Sequence, residues 1–446
     1  MTTKELKASA TQLLEENILS FWITRMTDHE RGGYYGQMTG DGRLVKDADK
    51  GAILNARLLW TFSAAYRVLG KQEYLDAASR AYNYFIDHFI DHKYGGVYWS
   101  VDCNGNALDT KKQFYAIGFA VYGMSEYVRA TGSREALDIA LQLYDCIEEH
   151  SFDHENNGYI EASTREWGEM ADMRLSAKDE NYPKSQNTHL HIIEPYANLY
   201  RCLKEIQASE TCNYVPTLGA VLPVTVSVPQ ETILQVEASL RNIIHIFTDK
   251  ILNPETHHLD LFFDMDWKRM SIDESYGHDI ECSWLLHEAA LVLGDPYVLE
   301  KVEPIVRMVA KASEKGLNSD GSMSYEWKAD GGLDTDRHWW VQAENVVGWL
   351  NIYQHFGDTE ALRRALHCYD YILNNLVDRD GGEWYWSCAP DGTPNRRDDK
   401  AGFWKCPYHN GRMCLELIER LSSPVNAQCP SLAEANSSLF TLHSSL

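Results

Sequence analysis

No stretch of this 446-residue chain approaches 18 uninterrupted apolar residues, and its start, Met1-Thr-Thr-Lys-Glu-Leu-Lys-Ala8, has no apolar leader core. The expectation is a cytoplasmic protein, neither secreted nor membrane-spanning. Basic residues are scarce: 41 Lys and Arg face 65 Asp and Glu, for a formal charge of -24. Nucleic acid and anionic membranes need clustered cations, so neither is expected as a partner, and an uncharged small molecule fits better. Gly-x-Gly-x-x-Gly and phosphate-cradling loops are also missing, which leaves a nicotinamide or nucleotide cofactor without a seat. The ten Cys include no Cys-x-x-Cys pair, and Cys146, Cys202, Cys282, Cys368 and Cys414 lie in helical patterns, so they read as reduced core thiols.

What the chain does have is a cassette that occurs six times. Each copy opens on Asp or Asn, passes through Gly or a stand-in, and ends on an aromatic or apolar residue. The copies are Asp28 to Tyr34, Asp91 to Trp99, Asp153 to Tyr159, Asn253 to Leu259, Asn318 to Tyr325 and Asp378 to Trp384. They recur at about 60-residue intervals with one longer gap, the mark of units that bury their apolar faces only against neighbours. The intervals are helical: Ile53, Leu54, Leu58, Leu59, Phe62, Ala65 and Tyr66 fall three and four apart, as do Tyr74 to Phe89. Gly70, Gly132, Gly294 and Gly357 stop one helix, and the polar residues after them start the next. Six helical hairpins joined by six cassettes predict an all-α closed double ring with short β-hairpins on one rim, running as one domain over residues 1–421. An open solenoid would need polar caps that the first and last units lack. Two segments break the pattern. Residues 207–231 place Pro216, Pro223 and Pro229 in a β-branched run and read as a surface insertion, and Ser-rich 422–446 reads as a flexible C-terminal tail.

Chemistry-bearing residues collect in four segments: Asn187-Thr-His-Leu-His191-Ile-Ile-Glu194, Gly277-His278-Asp-Ile-Glu281, Arg337-His-Trp-Trp340-Val-Gln-Ala-Glu344, and Phe403-Trp404-Lys-Cys-Pro-Tyr-His409-Asn-Gly-Arg412. In the first two, His and Glu stand three apart, on one helix face, where a carboxylate can fix the imidazole tautomer. A carboxylate-bridged metal centre, an inverting glycosidase using Glu194, Glu281 and Glu344, and a non-catalytic sugar-binding barrel are all open readings. Proton transfer next to a sugar carbonyl accounts for more of the set, because imidazoles exchange protons near neutral pH and Trp340, Trp404 and Tyr115 offer faces for pyranose rings.

These motifs, with Gly51-Ala-Ile-Leu-Asn-Ala-Arg57 and Asp334-Thr-Asp-Arg-His-Trp-Trp340, resemble the N-acylglucosamine 2-epimerase superfamily, most closely its cellobiose 2-epimerases, from about Leu14 to Leu421. The resemblance implies an (α/α)6 barrel. It also implies reversible epimerisation at carbon-2 of the reducing-end sugar of a β-1,4-linked disaccharide, without metal or nucleotide. By motif match His278 and His409 look like the acid/base pair and His191 the third active-site histidine. Arg57, Asn187, Glu281 and Glu344 look like polar groups around the sugar, and Tyr115, Trp340 and Trp404 like its aromatic contacts. Mannose isomerases and N-acylglucosamine epimerases share much of this set, and the assembly is left open between monomer and dimer. The 207–231 segment departs from the family pattern. So does Pro195, which is expected only if its helix starts at about 191–194.

Overall fold

The computed structural model describes residues 2–212 and 227–422. Six largely buried helices form an inner ring: α3 (Ala52–Leu69), α5 (Phe114–Thr131), α7 (Gln186–Cys212), α9 (Tyr276–Leu293), α11 (Trp339–Phe356) and α13 (Tyr408–Arg420). Each packs on the next, and α13 returns to α3, so the ring is closed. Of these, α3, α5, α9 and α11 are apolar on nearly every side. An all-round apolar helix is stable only when buried on every side, and the outer helices supply that cover. These are α4 (Gln72–His88), α6 (Arg134–His150), α8 (Gln230–Ile246), α10 (Pro296–Ala312) and α12 (Thr359–Tyr371). At the amino end, α1 (Thr3–Gln12) runs through a widened turn at Leu13–Leu19 into α2 (Ser20–Arg25). Because α1 packs against α13, the two ends of the chain make the sixth hairpin together. The structure is thus the all-α (α/α)6 barrel anticipated from the repeats.

The expected stops hold: α3, α5, α9 and α11 end at Gly70, Gly132, Gly294 and Gly357, each near φ +70°. Of the segment expected as an insertion, residues 207–212 continue α7 and α8 begins at Gln230, while 213–226 lie outside the described residues, as does the tail beyond Ser422. Among the described residues, no helix is long and apolar enough to cross a membrane.

Short antiparallel pairs stitch one rim. The residues just before an inner helix pair with the strand after the next cassette: Lys50–Gly51 with Ser100–Val101, Lys112–Gln113 with Ala162–Ser163, Lys184–Ser185 with Phe262–Phe263, Glu274–Ser275 with Glu326–Lys328, and Arg337–His338 with Ser387–Cys388. A Met38–Ala401 bridge completes the circle. Within the cassettes a left-handed residue makes the turn. Gly32 and Gly33 serve in the first copy, Asn157 precedes Gly158 in the third, and His257 at φ 62° is the stand-in in the fourth.

Four cassettes carry a buried bolt that sequence periodicity does not reveal. Lys50 donates to Asp28 Oδ2 (3.0 Å) and to the Gly32 carbonyl, Lys112 to Asp91 (2.9 Å) and Gly95, Lys184 to Asp153 (2.7 Å) and Asn157, and Lys400 to Asp378 and Gly382. Burial works against ionising these carboxyls. Cassette N–H groups and the lysines, with Arg165 at Asp91, outweigh it and hold all four below the usual aspartate value. A depressed carboxyl contributes stability that is present above the unfolded value of about 4 and is lost as pH falls through the folded value. The urea midpoint should therefore drop steeply below about pH 4. Asp91→Asn should be less stable at neutral pH but show a shallower fall below about pH 4; an unchanged acid slope would discount the bolt.

Candidate active site

The sequence-predicted residues sit on the first turns of the inner helices, at the rim stitched by the cassettes. Arg57 lies on α3, Tyr115 on α5, Asn187 and His191 on α7, His278 and Glu281 on α9, Trp340 and Glu344 on α11 and His409 on α13, with Trp404 in the loop before α13. Six helix amino-termini converge there, and their partial positive charge favours an anion.

All but one of these residues join a continuous contact network. Arg57 donates to the Tyr115 hydroxyl at 2.9 Å and lies over the Phe119 and Tyr408 rings, at 4.1 and 4.6 Å. Tyr115 meets His191 at 4.8 Å and Trp404 at 6.1 Å between ring centroids. Trp340 lies between the other two histidines, 4.9 Å from His278 and 5.6 Å from His409. His191 and His409 are buried, whereas His278, Trp340 and Trp404 keep part of their surface open. Asn187 is the exception. It lines an adjoining recess with Glu161, Leu175, Asp179 and Tyr182, and its side-chain Oδ1 is buried without a hydrogen-bond partner among the described residues.

Carboxylates back two of the imidazoles. His191 Nδ1 is 3.1 Å from Glu194 Oε2, so the His-x-x-Glu spacing of α7 closes as expected. The same spacing on α9 does not close: His278 Nδ1 is 2.7 Å from the Ser275 hydroxyl, and Glu281 turns instead to Arg412. The carboxylate that orients His409 comes from α11, with Nδ1 2.7 Å from Glu344 Oε1. Arg412 draws these groups together. It donates to Glu194, to Glu281 at 2.9 Å and to Glu344 at 2.7 Å, while the Tyr408 hydroxyl also donates to Glu194. Glu281, Glu344 and His409 bring candidate metal-ligand atoms within 4.8 Å of one another, but the Arg412 guanidinium lies among them and supplies the positive charge the carboxylates need. Glu194 is the orienting carboxylate expected from its spacing to His191, whereas the part played by Arg412 was not expected from the sequence. The signal was there, since Arg412 is three residues after His409 and shares its helix face.

Burial sets the protonation states. It pushes His278 and His409 down to about 3; His191 adds to this at His278, whereas Glu344 opposes it at His409. His191 falls well below the usual value through burial and the nearby Arg57 and Arg412. All three are neutral imidazoles at pH 7. Burial and the adjacent Glu344 raise Glu281 well above the carboxylate range, while at Glu344 the opposing Arg412 and His409 prevail over burial and bring it to about 2. The site thus places neutral bases and aromatic faces around a buried guanidinium–carboxylate cluster.

Pro195 sits as expected: α7 is two helical stretches that meet at a kink at His191 (φ −95°, ψ 15°), so the proline falls in the first turn of the stretch that begins there.

A family model described as N-acylglucosamine 2-epimerase (GlcNAc 2-epimerase) matches residues 33–200 and 231–411. A cellobiose 2-epimerase from Bacteroides fragilis is 53% identical over 414 residues, spanning 93% of this chain and 98% of that one. The solved structure of cellobiose 2-epimerase from Bacillus thermoamylovorans superimposes with a TM-score of 0.83 at 39% identity, covering 94% of this chain and all of that one. A D-mannose isomerase structure superimposes at 0.76 with 18% identity, covering 93% and 98%, a likeness of fold alone.

Proposed function

Because the chain belongs to the N-acylglucosamine 2-epimerase family, we propose that it reversibly epimerises carbon-2 of the reducing-end glucose of β-1,4-linked disaccharides, turning cellobiose into glucosyl-mannose and lactose into epilactose. The observation that carries this reading is the pairing of neutral His278 and His409 across Trp340, beside a cluster whose positive charge comes from the protein's own Arg412. Residues 1–421 are read as one catalytic domain. A cytoplasmic setting accords with the eight free cysteines among the described residues.

The closed sugar ring has no carbonyl to acidify carbon-2, so ring opening comes first. A neutral imidazole then removes the carbon-2 proton to give a cis-enediolate. Arg57 and the converging helix termini stabilise its developing oxyanion in a water-poor cavity. Rotation about the bond between carbon-2 and carbon-3 presents the opposite face, reprotonation gives the mannose configuration, and the ring closes. Glu344 fixes Nδ1–H of His409 and faces the imidazolium that forms when it takes a proton, whereas Nδ1 of His278 faces only the Ser275 hydroxyl. Return of the proton to carbon-1 instead would give a ketose, so a minor isomerase activity is expected. Tyr115, Trp340 and Trp404 provide the sugar-stacking faces.

The test is incubation with cellobiose, lactose, mannobiose, mannose and N-acetylglucosamine, with EDTA and no added nucleotide, followed by chromatography. Epimerised disaccharides support the reading. Hydrolysis to monosaccharides, or turnover of only the monosaccharides, would replace it, and loss on chelation with rescue by a divalent ion would restore the metal alternative.

A further inference from the structure

We propose that Pro195 and Gly118 form a positioning device for His191, with the proline bending α7 and the glycine receiving the backbone that the bend displaces. This rests on His191 belonging to the proposed active site.

Proline has no N–H and its ring crowds the carbonyl four residues earlier, which here is that of His191. His191 accordingly leaves helical geometry, at φ −95° and ψ 15°, at the kink where the two helical stretches of α7 meet. The displaced carbonyl comes to rest against Gly118 of α5: a methyl at that glycine would lie 2.5 Å from the His191 oxygen and 3.6 Å from Pro195 Cγ. A mid-helix glycine costs about 1 kcal/mol relative to alanine, and this close approach gives a reason for one here. The neighbours complete the seat. Tyr115 and Phe119, on the same face of α5, hold the His191 ring at 4.8 and 5.0 Å, and Glu194 takes its Nδ1 at 3.1 Å. One turn of α5 therefore grips the imidazole with two rings and accommodates its carbonyl with a glycine. The helices carrying His278 and His409 contain no proline, so this way of aiming a histidine is particular to α7.

The experiment compares Pro195→Ala, Gly118→Ala and the double variant by steady-state kinetics on cellobiose, thermal melting, and a crystal structure of Pro195→Ala. Displacing a reacting group by about 1 Å can cost about 100-fold, so each single variant should lose about 10- to 100-fold in kcat with KM changed less than about threefold. The double variant should lose no more kcat than the worse single one, because both act through one carbonyl. It should also melt higher than Gly118→Ala, because Pro195→Ala restores a backbone N–H that can draw that carbonyl back into the helix. In the Pro195→Ala crystal, His191 should return to a helical ψ of about −42°, with its bond to Glu194 broken. A His191 that keeps its bend and its Glu194 bond in that crystal would overturn the proposal, as would kinetic losses that multiply. If Gly118→Ala fails to fold, the Pro195→Ala crystal and kinetics decide. The crystal also decides if no epimerase activity is found, so the positioning device and the functional reading fail separately.

Discussion

Replacing His409 by alanine is expected to lower turnover on cellobiose by at least about 100-fold, the usual contribution of a general acid or base, and His278→Ala should do the same. The two rings flank Trp340, and both are neutral at pH 7 because burial pushes them down to about 3. They can therefore accept a proton without first losing one. His409 should show the larger loss, since it also has Glu344 behind it. His92→Ala is the control, an exposed histidine of the second cassette, and should be unchanged. Steady-state kinetics on the four proteins checks this, and near-wild-type activity in either active-site variant removes that residue from the chemistry.

Arg412→Met should be the most damaging single change for the site as a whole. It keeps the unbranched apolar stem of the side chain but takes one guanidinium from among three buried carboxyl groups, Glu194, Glu281 and Glu344. Breaking a buried ion pair costs about 3–5 kcal/mol, because the abandoned charges stay in the low-dielectric interior. Both Glu344 behind His409 and Glu194 behind His191 would lose their anchor. The expected result is a urea midpoint lowered by that order of stability and a loss of turnover comparable to that of His409→Ala. Arg412→Lys should recover part of the stability but little of the turnover, because an ammonium is a point charge without the planar fork. If Arg412→Met were stable and active, the cluster would be incidental to both fold and catalysis.

The barrel was legible in the sequence because its punctuation is chemical. Gly70, Gly132, Gly294 and Gly357 sit at left-handed stops that other residues enter only with strain, and the cassette aspartates recur because their carboxylates accept the turn's own N–H groups. The lysines that bolt those aspartates escaped notice, since a single Lys before a helix has the appearance of a solvated surface residue until its burial is known. Six hairpins were expected, but the make-up of the sixth was not legible: its two helices lie at opposite ends of the chain, and no local pattern joins them. At the site, motif and helix spacing brought most of the predicted residues together but did not assign their partners. The i, i+3 rule closed His191 on Glu194 and failed for His278. There, the charge of Arg412 from across the barrel claims Glu281, and Ser275 takes the imidazole. Partnerships across the ring depend on closure, and spacing along one helix carries no information about it.

The carbon-acid step separates epimerisation from hydrolysis and from simple binding, and epimerisation of cellobiose in deuterium oxide tests it directly. If a protein base removes the carbon-2 proton, deuterium should appear at carbon-2 of the mannosyl product. Incorporation can be partial where the closed cavity returns the proton before it exchanges, and substrate deuterated at carbon-2 should then react more slowly. Product formed with no solvent deuterium at carbon-2 and no isotope effect would contradict the enediolate route, and with it the role given to His278 and His409.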